Sequence, residues 1–224
     1  GQSVALVGET GGGKSTIINL ICRFYEPTGG TIKIDGIDYL DKTMESLRNK
    51  LGVVLQTPHL FSGNIRENIR YGRDAATEEE IKDSLKLIGG EDYIQRLDEE
   101  VGEGGDKLSL GERQLVSFAR AVLANPRIFI MDEATSSVDT LTEARIQSGI
   151  NEMIKGRTSM IIAHRLSTIK NCDRILVVKK GEIIEDGSHS ELMVKKGFYY
   201  NLYTRQLREQ REDEIMNVVD YVVP

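Results

Sequence analysis

The chain has 224 residues, of which 39% are hydrophobic and 29% charged, and its formal net charge is −6 with a pI near 5.3. This composition indicates a globular protein, and the acidic balance argues against nucleic-acid binding by broad phosphate neutralisation. Its longest apolar runs, such as residues 175–178, fall far short of the about 18–20 residues that span a bilayer. Cys22 and Cys172 lack metal-ligand spacing and are interpreted as structural thiols in a reducing compartment.

Short apolar runs alternate with helical patterns along most of the chain. Strands are predicted at residues 4–7, 31–35, 51–55, 128–131, 159–162 and 175–178, with a further alternating strand at residues 182–185. A helix is predicted from about residue 14 to residue 22. Continuous apolar strands separated by amphipathic helices indicate an α/β protein with a largely parallel sheet covered on both faces.

The pattern changes between residues 58 and 125, where strand signals disappear. Helices are predicted there at residues 78–88, 92–97 and 110–123. We interpret this stretch as a helical sub-domain inserted into one core formed by residues 1–57 and 126–205. The charged tail, residues 206–224, begins with a run of mixed charges at 206–214, for which the default interpretation is a solvated helix end that fades into disorder.

A phosphate-binding loop is predicted between the first strand and the first helix. Residues 8–15 (GETGGGKS) match the pattern G-x-x-x-x-G-K-[ST] in that required context. Its glycines allow backbone N–H groups to point at a phosphate, and the helix adds its positive end. Lys14 would reach the β- and γ-phosphates and Ser15 would ligate Mg²⁺, whereas a simple glycine-rich turn does not need the Lys-Ser pair. The predicted nucleotide-contacting residues are Gly8, Glu9, Thr10, Gly11, Gly12, Gly13, Lys14, Ser15 and Thr16.

A second acidic site follows the apolar strand at residues 128–131. Asp132 emerges at the carboxyl end of that strand, where ligands bind in open sheets, and is the predicted Mg²⁺ ligand. Glu133 comes next and is predicted to orient or deprotonate the attacking water. The alternative is that Glu133 only caps or pairs at the strand end.

A third motif, residues 108–114 (LSLGERQ), resembles the signature loop L-S-G-G-Q-x-Q of ATP-binding cassette (ABC) proteins. Together with the two preceding motifs, it makes essentially the whole chain similar to that family. The resemblance implies a P-loop NTPase core with a mostly parallel sheet flanked by helices, a helical sub-domain and a partial antiparallel β sub-domain. It also implies an ATPase with ATP and Mg²⁺ as ligands.

The resemblance assigns roles to three further residues. Gln56 matches the Q-loop, which touches Mg²⁺ and water, and Asp139 lies in a segment similar to the D-loop. His164 matches the switch histidine that contacts the γ-phosphate, although a lone histidine after a strand would otherwise be interpreted as structural. The implied catalytic residues are therefore Glu133, His164, Gln56 and Lys14.

Two segments resemble exporters rather than importers. Residues 61–69 follow the Q-loop as in exporter cassettes, and residues 100–105 resemble the exporter element that meets the coupling helices of the partner half. The resemblance thus implies a motor for export at the cytoplasmic face of the cell membrane. Only seven residues precede Gly8, so we expect an N-terminally truncated cassette that lacks the adenine-stacking aromatic residue and the transmembrane domain.

The signature loop also has a physical interpretation of its own. Ser109 and Glu112 form an S-x-x-E capping box, which by itself predicts only a helix start. A helix start favours negative charge by about 0.3–1 kcal/mol per exposed charge. In the family, Ser109 and Gly111 would contact the γ-phosphate of ATP held by a second nucleotide-binding domain, and both a homodimer and a heterodimer remain open. Glu112, Asp139 and His164 are also predicted to belong to the nucleotide-binding site.

The chain departs from the family pattern because Leu110 replaces a glycine and Glu112 replaces a glutamine. A carboxylate near a polyphosphate is expected to repel it modestly, and pairing with Arg113 would offset this. The departure leaves one alternative open, a nucleotide-gated dimerisation module with little hydrolysis. A DNA-maintenance ATPase is the other alternative, but no heptad run separates Lys14 from Ser109, and no nucleic-acid partner is expected.

Overall fold

The computed structural model describes residues 1–132, 140–163 and 165–222. The strands are β1 (Ser3–Val7), β2 (Lys33–Ile34), β3 (Ile37–Asp38), β4 (Leu51–Val54), β5 (Ile128–Asp132), β6 (Thr158–Ile162), β7 (Arg174–Lys179) and β8 (Glu182–Gly187). The helices are α1 (Lys14–Ile21), α2 (Met44–Arg48), α3 (Ile65–Arg70), α4 (Glu78–Leu87), α5 (Leu110–Ala124), α6 (Thr140–Ile154), α7 (Leu166–Asn171), α8 (His189–Lys195) and α9 (Phe198–Val222). Short 3-10 turns lie at Tyr39–Asp41, Glu91–Arg96 and Glu103–Gly105.

A six-stranded sheet in the order β4-β5-β6-β1-β7-β8 forms the centre of the fold. The first five strands pair in parallel and β8 pairs antiparallel with β7. In the middle of the sheet, Ala5 of β1 lies opposite Ile161 of β6 and Ile175 of β7. The predicted α/β fold with a mostly parallel sheet is confirmed, and the predicted strand at residues 182–185 is its antiparallel edge.

Both faces of this sheet are buried, because alternate strand residues enter two different hydrophobic clusters. Leu6 and Ile130 pack with Ile18 of α1 in the smaller cluster. Ala5 and Phe129 belong to the larger cluster, which includes residues of α3, α4 and α5. Continuous apolar strands therefore sit between two layers of helices, as a parallel sheet requires.

The prediction of a strand at residues 31–35 is only partly right. Only Lys33 and Ile34 are extended, and they pair antiparallel with Ile37 and Asp38 in a separate two-stranded sheet. The chain reverses at Asp35-Gly36, both with positive φ (55° and 76°), which is the turn chemistry of a tight hairpin. This hairpin is the small antiparallel sheet that accompanies the main one.

The region between β4 and β5 is helical, as predicted, with α3, α4 and α5 packed on one another through buried residues such as Ile69, Leu85 and Leu115. The helix predicted at residues 92–97 is instead a short 3-10 turn, Glu91–Arg96. Such turns are favoured over α-helix in pieces this short. The division into a sub-domain at residues 58–125 stays a prediction.

The C-terminal segment differs from its prediction, because α9 continues through the charged run at 206–214 to Val222 instead of fading out. No glycine or proline interrupts Phe198–Val222. Arg205 Nε also lies 3.8 Å from Glu209 Oε1 in an i,i+4 pair, which modestly favours helix. Within the described ranges, no helix is both long and apolar enough to cross a bilayer.

Candidate functional site

The loop at residues 8–15 connects β1 to α1 at the carboxyl edge of the sheet. Gly8, Gly11 and Gly13 have backbone φ values of 147°, 76° and 107°, which residues other than glycine rarely adopt. A Cβ on Gly8 would lie 2.1 Å from the carbonyl oxygen of Val178. The loop therefore rests directly on the end of β7, with no space for a side chain at its first position.

The turn between β7 and β8 holds the same loop from one side. The Gly181 N–H donates to the Gly12 carbonyl oxygen at 2.8 Å, and the Gly12 N–H donates to the Glu9 carbonyl at 3.1 Å. A Cβ on Gly12 would approach the Val178 oxygen to 3.0 Å. Sequence reasoning did not assign Val178 or Gly181 to the site, because only the strand order β6-β1-β7 brings them to the loop.

Lys14 begins α1 and is buried, with a relative exposure of 7%. Its Nζ donates to the carbonyl oxygens of Gly8 at 2.8 Å and Glu9 at 2.9 Å, so the ammonium lies within the loop. Burial lowers the pKa of this ammonium, and the negative charge of Asp132 raises it in opposition. The loop thus holds a partly desolvated positive charge, for which an anionic ligand is the natural partner.

Ser15 and Asp132 meet although 117 positions separate them, because β5 lies one strand away from β1 across β6. Ser15 Oγ donates to Asp132 Oδ2 at 3.4 Å. A cavity of about 270 Å³ opens above this pair. Its lining residues are Thr10, Gly11, Gly13, Lys14, Ser15, Thr16, Gln56, Asp132 and Ile162.

The structure therefore brings most of the predicted phosphate-contacting residues to one cavity, together with Gln56 and Asp132. Gly8, Glu9 and Gly12 are not among its lining residues. Gly8 and Gly12 form the side of the loop that rests on β7. Glu9 lines a different pocket against α9, together with Phe198.

The oxygen-bearing side chains around the cavity fit Mg²⁺, which prefers oxygen ligands. In proteins, Mg²⁺ usually retains several water molecules and also binds phosphate oxygens of the substrate. Ser15 and Asp132 supply one hydroxyl and one carboxylate. In the part of the chain that the structure describes, no group of three or more His, Cys, Asp or Glu side chains is arranged to hold a metal ion. The Ser15 hydroxyl and the Asp132 carboxylate are oxygen ligands of the kind that Mg²⁺ prefers.

The segment after Gln56 is anchored by the buried side chain of Asn68 in α3. Its Oδ1 accepts the Phe61 N–H at 2.8 Å, and its Nδ2 donates to the Phe61 carbonyl at 2.8 Å. Arg120 of α5 donates to Asn68 Oδ1 at 2.9 Å and to the His59 carbonyl at 3.0 Å. Helices α3 and α5 therefore fix the backbone that leads out of Gln56.

Replacing Asn68 with alanine is expected to lower the free energy of unfolding by about 2–4 kcal/mol, since several buried polar groups would lose their partner. Urea unfolding measures this change directly. Asn201→Ala, on an exposed position of α9, is the matched control and should change stability by less than about 0.5 kcal/mol. Equal effects of the two substitutions would contradict the anchoring role of Asn68.

The predicted capping box at the start of α5 is present. The Glu112 N–H donates to Ser109 Oγ at 3.2 Å, and the Ser109 N–H donates to Glu112 Oε2 at 2.7 Å. Ser109 is exposed and Gly111 is buried. Neither these residues nor Leu110 lines the cavity of the same chain, so the phosphate loop and the signature loop are separate surfaces of one protomer.

The expected pairing of Glu112 with Arg113 is wrong. Arg113 Nη1 donates instead to the carbonyl oxygens of Gly105 at 3.2 Å and Leu108 at 3.0 Å. Glu112 Oε1 accepts from Arg96 Nη1 at 2.7 Å. Burial acts to raise the pKa of Glu112, but the hydrogen bonds from Ser109 and Arg96 outweigh it and leave that pKa lowered.

Three predicted site residues, Glu133, Asp139 and His164, lie outside the described residues. Their assignment remains a prediction from sequence. The structure does describe residues shortly before Glu133 and His164. Asp132 ends β5 and Ile162 ends β6, and both line the cavity.

Comparisons with known proteins identify what this arrangement is similar to. A family model described as ABC transporter matches residues 1–136. The chain is 51% identical over 210 residues to the uncharacterized ABC transporter ATP-binding protein YknV of Bacillus subtilis, which covers 92% of this chain and 35% of that protein. It is 48% identical over 218 residues to the ATP-dependent lipid A-core flippase of Syntrophus aciditrophicus, covering 96% of this chain and 36% of the flippase.

Among solved structures, a bacterial Atm1-family ABC exporter with ATP bound matches with a TM-score of 0.85 and 46% identity. That match covers 92% of this chain and 36% of the exporter chain. The chain spans about a third of the length of the curated relatives it matches. These matches confirm the resemblance that the sequence motifs predicted.

Proposed function

Because the chain belongs to the ABC transporter family, we propose that it is an ATP-hydrolysing domain that powers export across a membrane. The observation that carries this proposal is the Lys14 ammonium buried in a glycine loop beside the Ser15–Asp132 pair. The export direction is supported by relatives named as a flippase and as exporters. We further place the domain at the cytoplasmic face of the membrane, joined to a transmembrane domain outside this chain.

Phosphate binding follows from the loop geometry. The backbone N–H groups of a glycine-rich loop and the positive end of α1 both favour an anion at the Thr10–Ser15 side of the cavity. Lys14 would exchange its two carbonyl partners for phosphate oxygens, gaining a charged partner in a partly desolvated site. Charge that develops on the transferring phosphate would be stabilised by the same ammonium.

Mg²⁺ would be held by Ser15 and Asp132 together with the phosphates. If bound, the ion would supply positive charge that offsets negative charge on the phosphate oxygens. Gln56, which lines the cavity on the side of β4, would orient the water beside that ion. Glu133 would accept a proton from this water and His164 would sense the γ-phosphate, as their positions in the sequence predict.

A second nucleotide-binding domain is the proposed partner. Ser109 and Gly111, which lie away from the cavity of their own chain, would cover the γ-phosphate of ATP held by that second domain. ADP has no γ-phosphate to offer, so ATP would favour the closed pair through its greater affinity for that state. Hydrolysis would then allow the two nucleotide-binding domains to separate, and this movement would be transmitted to the joined transmembrane domains.

Exchanging Lys14 for methionine tests the catalytic proposal, since it keeps the apolar stem and removes the charge. We expect MgATP hydrolysis, measured by phosphate release, to fall by at least about 100-fold. Lys170→Met, at an exposed lysine of α7, is the matched control and should hydrolyse ATP like the parent. Parent-like hydrolysis by the Lys14 variant would remove the loop ammonium from the mechanism.

A further inference from the structure

The carboxylate of Glu112 stands in the first turn of α5, at the helix end that the proposed function places over a second domain's ATP. Both of its carboxylate oxygens accept hydrogen bonds. Oε2 accepts the Ser109 N–H at 2.7 Å, and Oε1 accepts from Arg96 Nη1 at 2.7 Å. The side chain is 24% exposed, so its negative charge is only partly screened by solvent.

Contacts other than the one with Glu112 also orient Arg96. It ends the 3-10 turn Glu91–Arg96, and its guanidinium lies 4.9 Å from the centre of the Tyr93 ring. Its Nε and Nη2 donate to the two oxygens of Glu99 at 2.6 Å and 2.9 Å, which leaves Nη1 for Glu112. The fork of the guanidinium is therefore oriented by two side chains, Tyr93 and Glu99, and little freedom is lost when it pairs with the third, Glu112.

Electrostatics at this helix start involves two opposing effects. The free N–H groups and the dipole of α5 favour an approaching phosphate, whereas a carboxylate in the same turn repels it. Ser109 is exposed, and its Oγ accepts from the Glu112 N–H at 3.2 Å, which leaves the hydroxyl proton for an outside acceptor. The surface can attract a phosphate only if the Glu112 charge is compensated.

We propose that Arg96 is a positioning residue for this surface: its guanidinium, which also pairs with Glu99, offsets part of the Glu112 charge and holds Glu112 in the capping box, so that Ser109 and the start of α5 can bind the γ-phosphate of ATP on a second domain. This inference rests on the proposed function. It explains how a carboxylate at this position is compatible with a phosphate-binding helix start. Arg96 is not among the residues that line the cavity.

A purely structural role for the Arg96–Glu112 pair makes a different prediction from this electrostatic one. If the pair only stabilised the fold, the pairing concentration of each variant would follow its thermal stability, because a Glu112 carboxylate left without its partner also destabilises the fold. If Arg96 shields a repulsive charge, converting Glu112 to the neutral Gln should restore function in a chain that lacks Arg96. The pairing concentration of the double variant, compared with its thermal stability, therefore separates the two roles.

The experiment uses the whole chain carrying Glu133→Gln, so that ATP persists, and measures the MgATP concentration that gives half-maximal pairing in sedimentation velocity runs. We expect Arg96→Gln to raise that concentration about three- to tenfold, as a nearby uncompensated charge would. Arg96→Gln with Glu112→Gln should return it to within about twofold of the reference, and Arg96→Lys, which keeps the charge, should lie in between. Glu112→Gln alone should lower it, because one negative charge is then removed from the helix start while Arg96 stays paired with Glu99.

Thermal unfolding without nucleotide shows whether each variant is folded and how far its stability changes. An unchanged pairing concentration for Arg96→Gln, or a double variant no better than Arg96→Gln alone, overturns the shielding role while leaving the proposed function intact. A reference chain that pairs equally with MgATP and MgADP, or with neither, contradicts the proposed function and this inference together.

Discussion

Gly8→Ala is expected to reduce ATP hydrolysis by about 100-fold or more, because a displacement of the phosphate loop by about 1 Å suffices for such a loss. The added Cβ would lie 2.1 Å from the Val178 carbonyl oxygen, so either the loop or the end of β7 must move. The φ of 147° at Gly8 adds strain that an L-residue cannot relieve in place. Unfolding free energy should also fall by about 2–4 kcal/mol.

Gly11→Ala in the same loop is the matched control for this prediction. Its φ of 76° is also left-handed, but a Cβ there would meet nothing within 4 Å. This variant should therefore show only the backbone strain, about 1–2 kcal/mol, and a much smaller loss of hydrolysis. Phosphate release and urea unfolding, measured side by side for the two variants, separate the effect of the Val178 contact from that of backbone strain. Comparable losses at both positions would show that contact with Val178 does not position the loop.

Glu133→Gln is expected to lower ATP turnover by about 100- to 10,000-fold while leaving ATP binding nearly unchanged, since only the proton acceptor is lost. Glu133 follows Asp132 in the sequence, and Asp132 ends β5 and lines the cavity. Titration calorimetry and single-turnover hydrolysis measure the two quantities separately. Asp132→Asn provides the contrast, because it should weaken Mg²⁺-dependent binding itself. Undiminished turnover in the Glu133 variant would assign the proton transfer to another group.

The phosphate loop and the strands around it could be predicted because their signals are local. The pattern at residues 8–15 contains its own strand, turn and helix start, and each apolar strand is short and continuous. The capping box of α5 was likewise readable from Ser109 and Glu112 alone. Such features depend on neighbours within a few residues, and the structure has them where they were predicted.

What the sequence did not reveal depends on contacts between distant segments. Val178 and Gly181 support the phosphate loop only because β7 lies beside β1, and Arg96 reaches Glu112 across sixteen positions. Arg113 is adjacent to Glu112, yet successive helix residues point in different directions and Arg113 caps carbonyl oxygens instead. Adjacency in the sequence therefore does not predict the charge pairing of Glu112. Its partner, Arg96, comes from the 3-10 turn Glu91–Arg96.

In the proposed mechanism, ATP in the Gly8–Ser15 loop is shared with the start of α5 of a second domain. Light scattering of the Glu133→Gln chain with MgATP and with MgADP, combined with a count of the retained nucleotide, tests it most directly. We expect twice the protomer mass with one ATP retained per chain in MgATP, and the protomer mass in MgADP. A single-protomer mass under both conditions, with ATP freely exchanging, would contradict it.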